Sequence, residues 1–452
     1  MFFAPNLTLA LSLTLGGLLG CKQDPADPGA DDTGNTGGGT DGGTEQVIPP
    51  PGEAVDSDLA RDTDPDVDTA TLLAHTASMR AFALDLLHQA DGGDNLFLSP
   101  YSISVALAMT YAGTNGATES QLGSAMHFDL PEAELHPAFN ALDLTLAGRA
   151  AEVPEPDTGE PGDAFELSLV NQLFGQTGYP FESPFLDTLA LNYGAGMRLL
   201  DFQADPETSR SLINDWVEAV TQERIEDLLP PGSISDLTRL VLVNAIYFKA
   251  SWWAPFEASA TTDQPFSLLS GGTVTVPTMH GELETRFGSG DGFAVVDLPY
   301  VGEQLTMTLL VPDAGRFTEL RDGLRVETLD AALADLTVHQ VTLAVPKFSF
   351  RTELDVVPPL QALGVIDAFD PLLADLSGMS TASELYVSGV YHQAFVAVDE
   401  AGTEAAAATA VVVGDESEPP HAELIVERPF LFLIRDRPTG ALLFLGQVVD
   451  PS

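Results

Sequence analysis

The chain has 452 residues, with 18 Lys and Arg against 67 Asp and Glu, a formal net charge of -49 and a pI near 4.1. That balance excludes the clustered cations of a nucleic-acid surface and disfavours attraction to anionic lipid or a polyanionic cofactor. A single cysteine excludes any intramolecular disulfide, so the fold must rest on its core.

That residue, Cys21, ends the apolar opening "MFFAPNLTLALSLTLGGLLGC", whose hydrophobic run is short for a spanning helix and fits a signal segment over residues 1–20. Leu18, Leu19, Gly20 and Cys21 resemble a bacterial lipobox, which implies lipidation of Cys21; a plain secretory signal is the alternative. Residues 21–69 turn abruptly to Gly, Asp, Thr and Pro without apolar periodicity, and a disordered acidic linker is expected there. Within it, "DTDPDVD" sets Asp62, Asp64, Asp66 and Asp68 at alternate positions, as a calcium loop begins. The turn glycine and closing glutamate of such a loop are missing, so a solvated acidic stretch is expected instead.

Globular composition begins near residue 70 and runs to 452 without a break or a repeat. Leu72, Leu73, Met79, Phe82, Leu86 and Leu87 recur near helical spacing after Thr69, a suitable cap, and predict a first amphipathic helix. Phe165, Leu167 and Leu169 alternate as in a strand, and "SLINDWVEAVTQERIEDLL" places Leu212, Trp216, Val220 and Leu228 on one face of a second helix. "RLVLVNAIYF" is the near-continuous apolar run of a strand buried on both faces. "GSGDG" at 288–292 reads as a hairpin turn, and Val341, Leu343 and Val345 alternate as another strand. The sum is one mixed α+β domain over residues 70–452. There is no G-x-S-x-G elbow, H-E-x-x-H motif or phosphate loop, and His75, His88 and His392 lack metal-ligand spacing. No catalytic activity, metal or cofactor is expected.

One stretch suits neither a surface loop nor an ordinary helix: "DEAGTEAAAATAVVVG" at 399–414 is a run of small residues with almost no turn chemistry after Gly402. Together with "NLFLSPYSISVALAMTYAGTNGATESQL", "LVNAIYFKASWWAPF", "DLSGM", "VYHQAFVAVDEAGTEAAAATA" and "RPFLFLIRDRPTGALLFLGQVVDP", it resembles the serpins, in that family's order and spacing over essentially everything after residue 70. The resemblance implies a large central sheet A with two further sheets, about nine helices and an exposed reactive-centre loop. It also implies a serine-protease inhibitor acting as a suicide substrate, whose cleaved loop inserts into sheet A and traps the protease covalently. In an inserted strand Thr403, Ala405, Ala407, Thr409 and Val411 would turn inward, while Glu404, Ala406 and Ala408 would face solvent. Gly402 gives the hinge, Glu400 and Gly402 to Ala408, its freedom. Small inward side chains enter a sheet without overpacking it, so nothing here obstructs insertion. The alternative within the family is a non-inhibitory member acting as a surface binding or chaperone-like protein. Outside it stands an unrelated surface adhesin or hydrolase.

Other roles carry over residue by residue. Ser99, Ser102, Asn244 and His392 match the family's shutter, a hydrogen-bonded cluster beneath the place where sheet A parts. Lys347 and Glu400 match a salt bridge at the breach, where insertion begins, and Trp252 matches the breach tryptophan. Counting from Glu400 puts the reactive bond at Glu416–Ser417, whereas counting back from Pro429 lands near Glu418. A Glu before the bond suggests a Glu-specific serine protease; slippage to Val413 would suit an elastase-like one, and Asp415 an Asp-cleaving one. The expected protein is a monomer, held at the cell-envelope surface or outside the cell only through its N-terminal lipid, with no nucleic-acid partner.

Overall fold

The computed structural model describes residues 48–150, 165–382, 385–404 and 419–452. The largest element is a seven-stranded sheet, sheet A. From edge to edge it runs β1 (Glu53–Val55), β4 (Met197–Leu200), β3 (Phe165–Gln176), β5 (Leu240–Ser251), β13 (Gly402–Thr403), β12 (Val387–Val398) and β11 (Phe348–Asp355). The predicted strand "RLVLVNAIYF" is β5, at the centre of this sheet, and its residues Leu240 to Phe248 are all buried.

A second hydrogen-bonded path joins β14 (His421–Ile425), β10 (Thr337–Pro346), β7 (Thr273–Gly290), β8 (Phe293–Pro299), β9 (Leu305–Pro312), β15 (Phe430–Asp436), β16 (Leu442–Val448) and β2 (Leu96–Leu98), with β6 (Thr262–Ser267) beside β7. The two smaller sheets are continuous because β7 is long enough to serve both: its first half pairs with β6 and its last residues with β8. The turn from β7 to β8 is the predicted hairpin. Gly292 adopts a left-handed φ of 79° there, and a Cβ at this position would collide with the Arg316 guanidinium.

Among the described residues there are nine α-helices: α1 (Thr69–Gln89), α2 (Pro100–Tyr111), α3 (Gly116–Ala125), α4 (Glu132–Ala150), α5 (Ser183–Tyr193), α6 (Pro206–Val220), α7 (Phe317–Gly323), α8 (Val326–Ala334) and α9 (Val357–Ala362). The cap of α1 is Asp68, one residue before the expected Thr69; its carboxylate accepts from the Thr71 amide at 2.7 Å. Met79, Phe82, Leu86 and Leu87 form the buried face as predicted, while Leu73 stays exposed. Helix α2 is apolar nearly all round because it contacts β3 and β5 of sheet A and β16 of the second sheet.

One expectation is corrected. The helix predicted through Leu228 stops at Val220, where Gln222, Glu223 and Asp227 take left-handed φ values and the Thr221 hydroxyl accepts the Ile225 amide instead. The compact unit Ile48–Ser452 includes residues ahead of the first helix. Residues 48–68 carry no apolar periodicity, but they do not need it. Backbone pairing adds β1 to the edge of sheet A, with Val55 opposite Met197, and polar side chains hold the rest. Ser57 donates to Asp187 at 2.5 Å, and Arg61 reaches Asn140 at 2.8 Å and Asp143 at 2.6 Å. Cys21 and residues 1–47 as a whole lie outside the described residues.

Candidate functional site

The site lies along the seam between β5 and β12. These neighbours run parallel, Leu240 to Ile246 pairing with Val387 to Ala394. Above Ala394 they part, and β13 occupies the opening. Gly402 pairs with Ser251, and Thr403 pairs with Ala250 on one side and Val398 on the other, antiparallel to both. An antiparallel strand entering a parallel seam exchanges slanted hydrogen bonds for perpendicular ones, the slightly more stable pattern.

Thr403 is 1% exposed, and its hydroxyl meets that of the fully buried Tyr300 at 2.8 Å. Its inward orientation follows from strand alternation, as expected. Glu404 follows β13 with a left-handed φ of 52°; its side chain is 6% exposed, and Arg224 Nε, on the connector between α6 and β5, lies 3.3 Å from its carboxylate. Ala405 to Ala408 and the expected bond Glu416–Ser417 lie outside the described residues.

Above the seam, Glu400 anchors the start of the hinge. One carboxylate oxygen takes the Lys347 ammonium at 2.6 Å and the other the Thr261 hydroxyl at 2.7 Å. Burial works to raise the pKa of this carboxyl, but the bonds from Lys347 and Thr261 outweigh it and hold it below the usual range. Trp252 stacks on Tyr300 with ring centroids 4.7 Å apart, donates its indole N–H to the Asp399 carbonyl at 2.9 Å, and donates its amide to Ala401. The Asp399 carboxylate in turn accepts the Ala401 amide, so the turn before the hinge is tied at both ends.

Below the seam lies a polar cluster in an otherwise apolar core. Ser99, Ser102, Asn244 and His392 are all 1% exposed or less. The backbone N–H of Ser99 donates to His392 Nε2 at 3.1 Å, which leaves the ring proton on Nδ1 to be donated to Asn244 Oδ1. Asn244 passes its amide hydrogens to Ser102 Oγ and Asn171 Oδ1, and Ser99 Oγ donates to Leu443 O at 2.7 Å. Every link is consistent with a neutral imidazole, and burial lowers the pKa of His392 to about 3. Asn171, His392 and Asn244 occupy one rung across β3, β5 and β12.

The four residues expected to cluster do so, and Asn171 joins them without having been foreseen. A signal existed: "LVNQLF" in β3 and "LVNAIYF" in β5 carry the same Leu-Val-Asn, and the two asparagines pair across the strands. Of the other histidines, His75 is buried edge-on against Phe139 at 4.3 Å. Among the described residues no group of three or more His, Cys, Asp or Glu is placed to hold a metal, and no helix is long and apolar enough to cross a membrane.

Residues 77–451 match the model of the family described as Serpin (serine protease inhibitor). The chain is 39% identical over 388 residues to the leukocyte elastase inhibitor of Sus scrofa, covering 83% of this chain and 99% of that protein. Among solved structures it is similar to uncleaved ovalbumin, with a TM-score of 0.72 and 27% identity over 84% of this chain and 100% of that one. It is also similar to the thermophilic serpin tengpin in its native state, with a TM-score of 0.74 and 25% identity over 88% of this chain and 97% of that one. Sheet A with its seam, the second strand path, the nine helices among the described residues and the match over residues 77–451 agree: the chain belongs to the serpin family, described as serine protease inhibitors, and its relative from Sus scrofa is named as an inhibitor.

Proposed function

We propose that the protein inhibits serine proteases as a suicide substrate. A protease serine attacks the carbonyl of Glu416, the peptide beginning at Ser417 leaves, and the ester-linked loop inserts between β5 and β12, carrying the protease with it. The observation that supports this best is β13: two hinge residues already pair antiparallel with both strands of a parallel seam. In this reading Ser99, Ser102, Asn171, Asn244 and His392 hold the seam closed until insertion, while Lys347, Glu400 and Trp252 fix where it starts.

The relative from Sus scrofa is named for leukocyte elastase, which favours an elastase-like target and cleavage after Val413 as the competing register. A Glu-specific enzyme remains the proposal for Glu416. We further propose that Cys21 carries a lipid after removal of residues 1–20 and holds the domain at the cell-envelope surface as a monomer.

The test mixes the full chain, kept in mild detergent, with a Glu-specific and an elastase-like serine protease, followed by denaturing gels and mass measurement of the released peptide. A denaturant-stable complex with a peptide starting at Ser417 is the expected outcome, and one starting at Gly414 assigns the elastase-like register. Cleavage without a complex, or no cleavage between Thr409 and Pro419, refutes inhibition.

A further inference from the structure

A cavity of about 240 Å³ lies among α2, α4, α5 and β3, and no step of the proposed inhibition uses it. Its apolar lining comes from Val105 and Met109 of α2, Phe139 of α4, and Ala195 just past α5. Arg61, from the segment ahead of α1, lines it too, with Tyr101, Asp143 and Asn192.

The charges in this lining are already matched. Arg61 Nη2 donates to Asp143 Oδ2 at 2.6 Å and its Nε to Asn140 Oδ1 at 2.8 Å, while the hydroxyl of the fully buried Tyr101 donates to Asp143 Oδ1 at 3.1 Å. Burial, then the neighbouring Asp143 charge, raises the Tyr101 pKa and keeps that hydroxyl a donor. Both oxygens of the carboxylate are therefore taken. Arg61 Nη1, a donor, and Asn192 Oδ1, an acceptor, have no hydrogen bond among the described residues; the Asn192 amide itself donates to Thr188 O at 3.0 Å.

That pattern selects a ligand chemistry. A cation in this space would meet the Arg61 guanidinium and an anion the Asp143 carboxylate, with no counter-charge left to take either. An uncharged molecule with an apolar body and one hydroxyl meets neither cost. Its oxygen accepts from Arg61 and its proton goes to Asn192, the two roles that a hydroxyl fills at once. Size agrees: an apolar cavity of about 150 Å³ already admits benzene, so this one accommodates a substituted six-membered ring.

We propose that the cavity is a binding site for a compact uncharged alcohol or phenol, held by Arg61 and Asn192 against Val105, Met109 and Phe139. Binding needs no protease, whereas its reach into trapping rests on the inhibitory reading above. Asn171 of β3 lines the same cavity and is bonded to Asn244 on the polar rung, so a ligand spanning α2 and β3 stabilises the closed seam by mass action.

The probe is 4-fluorophenol, titrated into the full chain and followed by its fluorine NMR signal. Saturable binding with a dissociation constant on the order of 1 mM is expected. Val105→Phe and Ala195→Leu each place side-chain volume in the cavity and should weaken binding about ten-fold or more. 4-Fluoroanisole keeps the ring and loses the donated proton. It should bind about five-fold more weakly than the phenol in wild type and equally well in Asn192→Ala. 4-Fluorobenzoate and 4-fluorobenzylammonium should both bind more weakly than the phenol.

No saturable binding to wild type, or binding unchanged in both filled variants, overturns the proposal. Preferred binding of the benzoate or the ammonium overturns the ligand class. If Val105→Phe fails to fold, Ala195→Leu decides alone, because Ala195 lies outside the helices. Saturable binding to a chain that traps no protease keeps the site and sinks the inhibitory reading, and a working trap without phenol binding does the reverse. In a working trap, saturating 4-fluorophenol should slow the denaturant-stable complex in wild type and not in Val105→Phe; equal slowing in both breaks the link to the seam.

Discussion

Replacing Thr403 with Arg separates the fold from the proposed function. Thr403 is 1% exposed between β12 and β5, and its hydroxyl meets that of Tyr300, which is fully buried. An arginine kept in this position would leave a guanidinium without an anion in the core, at a cost of about 3–5 kcal/mol. Releasing the hinge forfeits a few backbone hydrogen bonds, each contributing about 0.5–1.5 kcal/mol net. Among the described residues, the hinge is attached to the rest of the domain through this short rung and its anchors. Expulsion is therefore the cheaper response, and the domain keeps its fold with Thr403→Arg outside the sheet. The expected result is native circular dichroism, fast exchange of the Glu404 amide, and a loop that proteases cut without forming a denaturant-stable complex. Thr403→Val is the control, since it keeps the packing and loses only the bond to Tyr300. A Thr403→Arg protein that still trapped one protease per molecule would refute the claim that this position must pass into the sheet.

Two further predictions concern the seam and its upper end. His392 stays neutral in the fold because burial lowers its pKa to about 3, so its contribution is intact above its ordinary value of 6.5 and drains as pH falls from 6.5 toward 3. Urea midpoints measured from pH 7 to 4 should fall more steeply in wild type than in His392→Gln, with a difference of up to about 1.4 kcal/mol per pH unit; parallel curves would contradict the buried neutral ring. At the breach, Lys347→Met removes the cation from Glu400. Because Lys347 is about one-third exposed (35%), screening limits the loss to about 1 kcal/mol or less. The carboxyl is held below its usual range, so this loss should be complete above the ordinary Glu pKa and vanish as pH falls through the depressed value. A variant whose thermal midpoint differs from wild type equally at every pH would show that the pair contributes nothing through charge.

What was legible in the sequence was whatever depends on side-chain pattern. The apolar run of β5 and the alternation of Val341, Leu343 and Val345 in β10 each announce a burial requirement, and the structure meets it, while the alternation from Phe165 falls in a strand, β3. What escaped depends on backbone or on distant charge. β1 joins the sheet by main-chain bonds that Glu53, Ala54 and Val55 do not advertise, so an acidic, glycine-rich context concealed a strand. The end of α6 escaped because the apolar spacing continues through Ile225 and Leu228. These residues are buried by the connector folding back, not by a longer helix.

The polar cluster and the hinge are opposite ends of one mechanical problem. An antiparallel strand advancing from Thr403 must separate His392 from Asn244, the pair on the rung that Asn171 completes. Each polar group orphaned there costs about 1–3 kcal/mol until new partners arrive. On the face of the sheet that carries this cluster, the rungs between β13 and it are apolar, with Ile246 and Phe248 on β5 and Ala394 and Val396 on β12 all buried; Tyr247 and Gln393 lie on the opposite face. On the face that carries the cluster, the first steps of insertion would meet only backbone exchange, and the main resistance would lie deeper, at His392 and Asn244. A hinge can thus rest partly inserted without running to completion. In the inhibitory reading proposed above, progress past the polar rung requires the slack in the loop that cleavage supplies.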